Sequence, residues 1–179
     1  VYSLATPTAP VLMTRLEQYL PFIGIVHDMF VRNDTIYASC ANQGLILLKF
    51  NPTDSSISQI GSYSGYPKAG YNHSSFLTQN GKYLMFCDEI PAGSPIHLVD
   101  VQNKANIQSV ETFIPHPGTT PHNPYLLGND FAIVSCYEDG IYVYNISDPN
   151  KPGVAGYFDT YPQSGANTGT YGNINYRGN

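Results

Sequence analysis

Residues His122–Tyr161 read HNPYLLGNDFAIVSCYEDGIYVYNISDPNKPGVAGYFDTY. Four short apolar runs are parted by turn-forming clusters: Gly128-Asn129-Asp130, Glu138-Asp139-Gly140 and Ser147-Asp148-Pro149-Asn150. Short β-rich runs punctuated in this way predict an antiparallel meander of four strands.

Two other segments lie over this one. The first is His27-Asp28-Met29-Phe30-Val31, Asn33-Asp34, Ile36-Tyr37-Ala38-Ser39-Cys40 and Gly44-Leu45-Ile46-Leu47-Leu48. The second is His73-Ser74-Ser75-Phe76-Leu77, Asn80-Gly81, Tyr83-Leu84-Met85-Phe86-Cys87 and Ile96-His97-Leu98-Val99. The leading histidines are 46 and 49 residues apart, and Cys40, Cys87 and Cys136 follow them by 13, 14 and 14 residues. The three cysteines are therefore expected at one repeat position. Val1–Pro10 matches Val143–Pro152 at an offset of 142, again three repeats.

A period of roughly 40 to 50 residues with four strands per unit is the mark of a β-propeller blade. One blade cannot bury both faces, so its neighbours must stack on it. The expected fold is all-β: a β-propeller fragment of about three full four-stranded blades plus part of another. Residues 1–26 end a blade, 27–72, 73–121 and 122–161 are blades, and 162–179 are a loop or tail. Val11 to Tyr19 is expected as the outermost strand of the incomplete blade, although Leu16–Leu20 also suits a helical turn. Propellers close with about 4 to 8 blades, so the remaining blades are expected in residues outside this sequence or in a partner chain.

Composition narrows the function. Apolar residues make up 42% and charged residues 12%, with 15 tyrosines and 8 lysines plus arginines. Tyr, Thr, Ser, Asn and Gly richness with little lysine suits an extracytoplasmic β protein. The net charge of −5 argues against nucleic acid, whose binding needs Lys and Arg on phosphates. No apolar run approaches the roughly 20 residues that span a bilayer. Equivalent cysteines in successive blades sit about 10 Å apart, beyond the roughly 7 Å a disulfide allows. They read as buried free thiols; a metal or redox role would lack any C-x-x-C spacing.

Blade geometry places the candidate site. In an up-down blade the loop joining strands two and three lies at the same end as the start of strand one. His27, His73 and His122 start the first strands, and the acidic hairpins Asp88-Glu89 and Glu138-Asp139 share their rim. So do Asn72, His116 and Asn123, while His97, on a third strand, belongs elsewhere. Converging imidazoles with carboxylates suit a divalent transition metal. The other reading is that each histidine bonds a neighbouring blade's backbone and locks the rim. Gly61-Ser62-Tyr63-Ser64-Gly65 puts Tyr where a nucleophile elbow needs Ser, and there is no phosphate loop, H-E-x-x-H or EF-hand spacing.

The third strands, Ile96–Val101 and Ile141–Pro149, resemble the LVIVD repeat. The runs Phe30–Ser39, Asn80–Glu89 and Gly156–Tyr161 resemble the choice-of-anchor B proteins. That resemblance covers nearly the whole chain, and it implies a secreted or surface-anchored bacterial β-propeller. The family pattern sets His-Asn at several blade starts; His122-Asn123 keeps it, whereas His27-Asp28 and His73-Ser74 depart. The resemblance carries no activity. The preferred expectation is a non-enzymatic cell-surface module binding protein or glycan, or serving as a scaffold. The alternative is a metal-binding protein or metal-dependent enzyme using His27, His73 and His122 with Asp88, Glu89, Glu138 and Asp139.

Overall fold

The computed structural model describes residues 1–137 and 139–160. Glu138, Tyr161 and the expected tail 162–179 therefore lie outside the described residues. The chain forms a short two-stranded ribbon, β1 (Tyr2–Ser3) and β2 (Val11–Leu12), and then three antiparallel four-stranded sheets. Blade one is β3 (Asp28–Arg32), β4 (Thr35–Ser39), β5 (Leu45–Asn51) and β6 (Ser56–Tyr63). Blade two is β7 (Asn72–Leu77), β8 (Tyr83–Asp88), β9 (Ile96–Asp100) and β10 (Gln108–Phe113). Blade three is β11 (Thr120–Leu127), β12 (Phe131–Tyr137), β13 (Gly140–Asn145) and β14 (Gly153–Phe158). Strands within each blade lie in chain order. The first strands β3, β7 and β11 touch from blade to blade, so they line the axis. This is a β-propeller in which the described blades do not close a ring. Among the described residues no helix is long and apolar enough to cross a membrane.

The stretch Val11 to Tyr19 departs from expectation. Only Val11–Leu12 is strand, and Leu16–Gln18 is a 3₁₀ turn. The Gln18 amide oxygen accepts hydrogen bonds from the Arg15 backbone N–H (3.0 Å) and the Thr14 hydroxyl (3.3 Å). A side chain that supplies the backbone with a local acceptor competes with strand pairing.

Three apolar layers hold the blades. Period-two alternation sends one set of side chains to each neighbour. Tyr37, Leu45 and Leu47 of blade one meet Leu84, Phe86 and Val99 of blade two. Met85, Cys87 and Leu98 of blade two meet Ala132, Val134 and Tyr144 of blade three. The other face of blade one (Ile36, Ala38, Cys40, Ile46, Leu48) is covered by Ile23, with Leu16, Leu20 and Val26.

Two features repeat without repeating in sequence. The pairing of third with fourth strand shifts by one residue after Leu47, Leu98 and Val143. A β-bulge at one level of every outer strand sharpens its twist. The second hairpins of blades one and three turn on Gly44 and Gly140, at φ of +77° and +83°. A Cβ at either would lie 2.6 Å or 2.2 Å from the carbonyl oxygen of Tyr63 or Phe158, so only glycine fits.

The first hairpins differ, and this corrects the repeat alignment. Blade one turns through two residues, Asn33 and Asp34, at positive φ, as a primed turn requires. Blade three turns through Gly128, Asn129 and Asp130. In blade two Thr78 still pairs with Tyr83, which leaves the four residues 79–82 in the loop. The longer loop slides β8, so Cys87 faces Ser74 as Ser39 faces Asp28 and Ser135 faces Asn123. The place that Cys136 takes opposite Pro121 belongs in blade two to Asp88, opposite Asn72. Cys40 thus follows directly on β4, while Cys87 and Cys136 lie within β8 and β12 at different positions. Cys87 points forward into the layer toward which Cys136 points back. All three are buried free thiols, as expected. Burial raises Cys40 to about 11 and pushes Cys87 and Cys136 well above the usual thiol range.

Candidate functional site: a histidine stack at the propeller axis

Each first strand is led by a histidine that the backbone sets apart. His73 falls between the pairs Asn72↔Asp88 and Ser74↔Cys87 and is the extra residue of a β-bulge. His122 is the extra residue between Pro121↔Cys136 and Asn123↔Ser135. A bulge re-aims the side chain it carries, and here it turns the imidazoles toward the next blade. The ring centroids of His27 and His73 are 4.1 Å apart, and those of His73 and His122 are 3.8 Å apart. Nδ1 of His27 lies 3.2 Å from the His73 carbonyl oxygen, and Nδ1 of His73 lies 3.2 Å from that of His122. The Ser74 hydroxyl also donates to the His122 carbonyl. The bonds to neighbouring backbone that one sequence reading expected are therefore present.

The long blade-two hairpin brings a carboxylate over this stack. Successive residues of a strand point to opposite faces, so Asp88 and Glu89 part company. Glu89 faces the histidines: Oε2 is 3.9 Å from Nε2 of His73, and Oε1 is 3.9 Å from Nε2 of His122. Tyr137, at the equivalent place in blade three, donates its hydroxyl to Glu89 Oε1 at 2.6 Å. One ligating atom each from His27, His73 and Glu89 lies within 4.8 Å of the others. His27 is exposed, His73 is buried and Glu89 is half-buried. Burial, reinforced by the rings of His122 and His27, lowers His73 to about 4, so it is neutral at physiological pH.

Asp88 goes the other way, a correction to the shared rim expected for it. It is fully buried between blades one and two. Its carboxylate accepts from the Tyr66 hydroxyl at 2.9 Å, the Gly70 backbone N–H at 2.8 Å and the Asn72 amide at 3.3 Å. Burial nonetheless holds Asp88 above the usual carboxylate range. His97 joins this group from the third strand, its Nε2 3.8 Å from Asp88 Oδ2. That distance is too long for a hydrogen bond, and burial lowers His97 to about 4. With the imidazole neutral at physiological pH, the pair is not a salt bridge.

Among the described residues, Asp139 lies in the second hairpin of blade three and Asn123 on its first strand, β11. Asp139 is buried and takes a 2.9 Å contact from His116 Nε2, which ties the crossing loop to the blade-three hairpin. Burial raises Asp139 against the opposing pull of His116. Asn123 lines a cleft of about 230 Å³ on the axis with Asp28, Phe30, Ser74, Phe76 and Tyr125. Tyr137, at the end of β12, and Tyr66, in the crossing loop before β7, escape sequence reading, because a buried tyrosine looks like core until its hydroxyl partner is known.

Gly70 connects the fold to this site. A Cβ there would lie 2.1 Å from the Ile90 carbonyl oxygen, the acceptor of the Tyr71 N–H at 2.8 Å. Gly70→Ala is expected to cost about 1–3 kcal/mol by overpacking and to push the Glu89 hairpin off the histidines. Urea unfolding reads the first effect. The NMR shift of the His73 ring reads the second, and an unchanged shift would show that the hairpin is anchored elsewhere.

No family model matches the chain, and the search of curated proteins finds no match. Among solved structures the chain is similar to the crystal structure of the Cps50 (Swd1) β-propeller domain of Myceliophteria thermophila, with a TM-score of 0.50 and 15% sequence identity. The alignment covers 80% of this chain and 42% of that one. At that identity the likeness concerns the fold alone: the chain has the architecture of a β-propeller, and it spans less than half the length of the propeller it matches.

Proposed function

We propose that this chain is part of a non-enzymatic β-propeller that binds a protein partner through the histidine-bearing rim. The observation that carries the reading is the rim itself. Blade two projects a hairpin, residues 88–95, that is longer than its counterparts in blades one and three, over a rigid radial scaffold. Function concentrates on loops held by such scaffolds. The polar groups around the hairpin are held by backbone and side-chain bonds, which suits a preformed contact surface. Half-exposed or more exposed Val154, Tyr157 and Phe158 on β14 support further blades completing the ring, supplied by residues outside this sequence or by a partner chain.

The location we propose is the cell surface or the medium outside it, as in the choice-of-anchor B and LVIVD proteins. The lysine-poor, tyrosine-rich composition and the quoted strand motifs support it, and a glycan is the second ligand class to try. The experiment pairs wild type with a variant whose hairpin is cut to the blade-one length. Both are screened against surface proteins and a glycan array. Binding present in wild type and lost in the variant is the expected result. Binding that survives the shortening would move the contact surface off this rim, and substrate turnover would overturn the non-enzymatic reading.

A further inference from the structure

The geometry points to a divalent transition-metal site of the zinc type, formed by His27, His73 and Glu89 at the propeller axis. This inference stands apart from partner binding. A carbonyl oxygen only accepts, so an Nδ1 held 3.2 Å from one must carry the proton. That fixes His27 and His73 in the tautomer whose Nε2 bears a lone pair. It is also the arrangement in which a metal-binding histidine is oriented by backbone through its other nitrogen.

Glu89 is oriented by the same logic. Its Oε1 takes the Tyr137 hydroxyl at 2.6 Å, and its Oε2 lies 3.9 Å from His73 Nε2. An imidazole lone pair then confronts a carboxylate oxygen across a gap too wide for a hydrogen bond. Two acceptors face to face repel, and a cation between them reverses the sign. Zinc bonds of about 2.0–2.2 Å to nitrogen and oxygen in a tetrahedral site set ligand atoms roughly 3.3–3.6 Å apart. The 3.9 Å gap closes to this with a shift of about half an ångström. The widest separation in the set, 4.8 Å at most, closes with a side-chain movement of about 1.3 Å. Imidazole nitrogen with one carboxylate favours zinc and its neighbours over calcium or magnesium, which take oxygen ligands. His27 is exposed, so the ion has a route in. His122 Nε2 lies 3.9 Å from the other oxygen of Glu89.

The test is zinc titration of the full chain after chelator treatment, followed by calorimetry and by metal analysis of the dialysed protein. Stoichiometric zinc is expected, as is a cobalt form with the intense visible absorption of a low-coordinate nitrogen and oxygen site. His27→Ala, at an exposed position that leaves the core intact, should weaken binding by at least about tenfold, and Glu89→Gln should do the same. His116→Ala, on the Asp139 contact, should leave binding unchanged. Absence of stoichiometric metal at high micromolar zinc overturns the proposal. So does binding that His27→Ala and Glu89→Gln leave intact, since the metal would then sit on other groups.

Discussion

Phe86→Ala is expected to lower stability by about 3–5 kcal/mol, a large share of the roughly 5–15 kcal/mol that holds a domain folded. Phe86 is fully buried in the layer between blades one and two. It stacks on His97 with centroids 4.6 Å apart and planes 12° apart, and it meets Tyr66 edge-on at 5.2 Å. Truncation removes apolar area and opens a cavity whose walls are β-strands pinned by their ladders. Such walls collapse poorly, and the cost rises with the void that remains. Urea midpoints followed by tyrosine fluorescence measure this. A loss below about 2 kcal/mol would mean that the two blades slide together to fill the space.

The second large effect is acid lability from His97. In the folded chain His97 is held at about 4, against an ordinary value of 6.5, chiefly by burial and secondarily by Lys68. Above pH 6.5 both folded and unfolded chains carry a neutral imidazole, so it contributes no pH dependence. Between 6.5 and about 4 the unfolded chain takes up a proton that the folded chain refuses. Stability therefore falls as pH falls, by up to about 3 kcal/mol, and levels off below about 4. Asp88 and Asp139, raised by burial, act in the opposite sense: their strain relaxes as acid protonates them. A single variant separates the terms. His97→Ile installs the residue that blade one carries at the equivalent place, Ile46, which pairs with Ala38 as His97 pairs with Phe86. The variant should lessen the fall in urea midpoint between about pH 6.5 and 4.5, and the part that remains belongs to His73, which burial also lowers to about 4. An unchanged slope would assign the acid lability to other groups.

The reach of the sequence differs from element to element. Strand runs such as Ile36–Ser39 and Ile141–Asn145 could be read directly, because alternating apolar residues between turn signals leave a strand few alternatives. The repeat of leading histidines placed His27, His73 and His122 at one end of the axis, and the pairing of strands one to three brought Glu89 to them. The misreading of Cys87 shows where pattern stops. Residue counts from histidine to cysteine cannot distinguish a four-residue first hairpin from a shift of register. Only the ladder shows that Asp88, not Cys87, occupies the position that Cys136 holds in blade three. The strand expected at Leu16–Gln18 failed for a local reason, the Gln18 side chain capturing the Arg15 N–H.

By itself, the order of residues determined that the chain builds successive four-stranded meanders and which end of each carries imidazole and carboxylate. Periodicity and turn chemistry are local, and they act before any long-range contact forms. Tertiary structure alone decided which way each polar side chain points. Bulges at His73 and His122 turned the rings onto one another, and the one-residue slide of β8 sent Asp88 inward and Glu89 to the axis. Register is settled by the packing of one blade on the next, where a displacement of one residue exchanges the buried face for the exposed one.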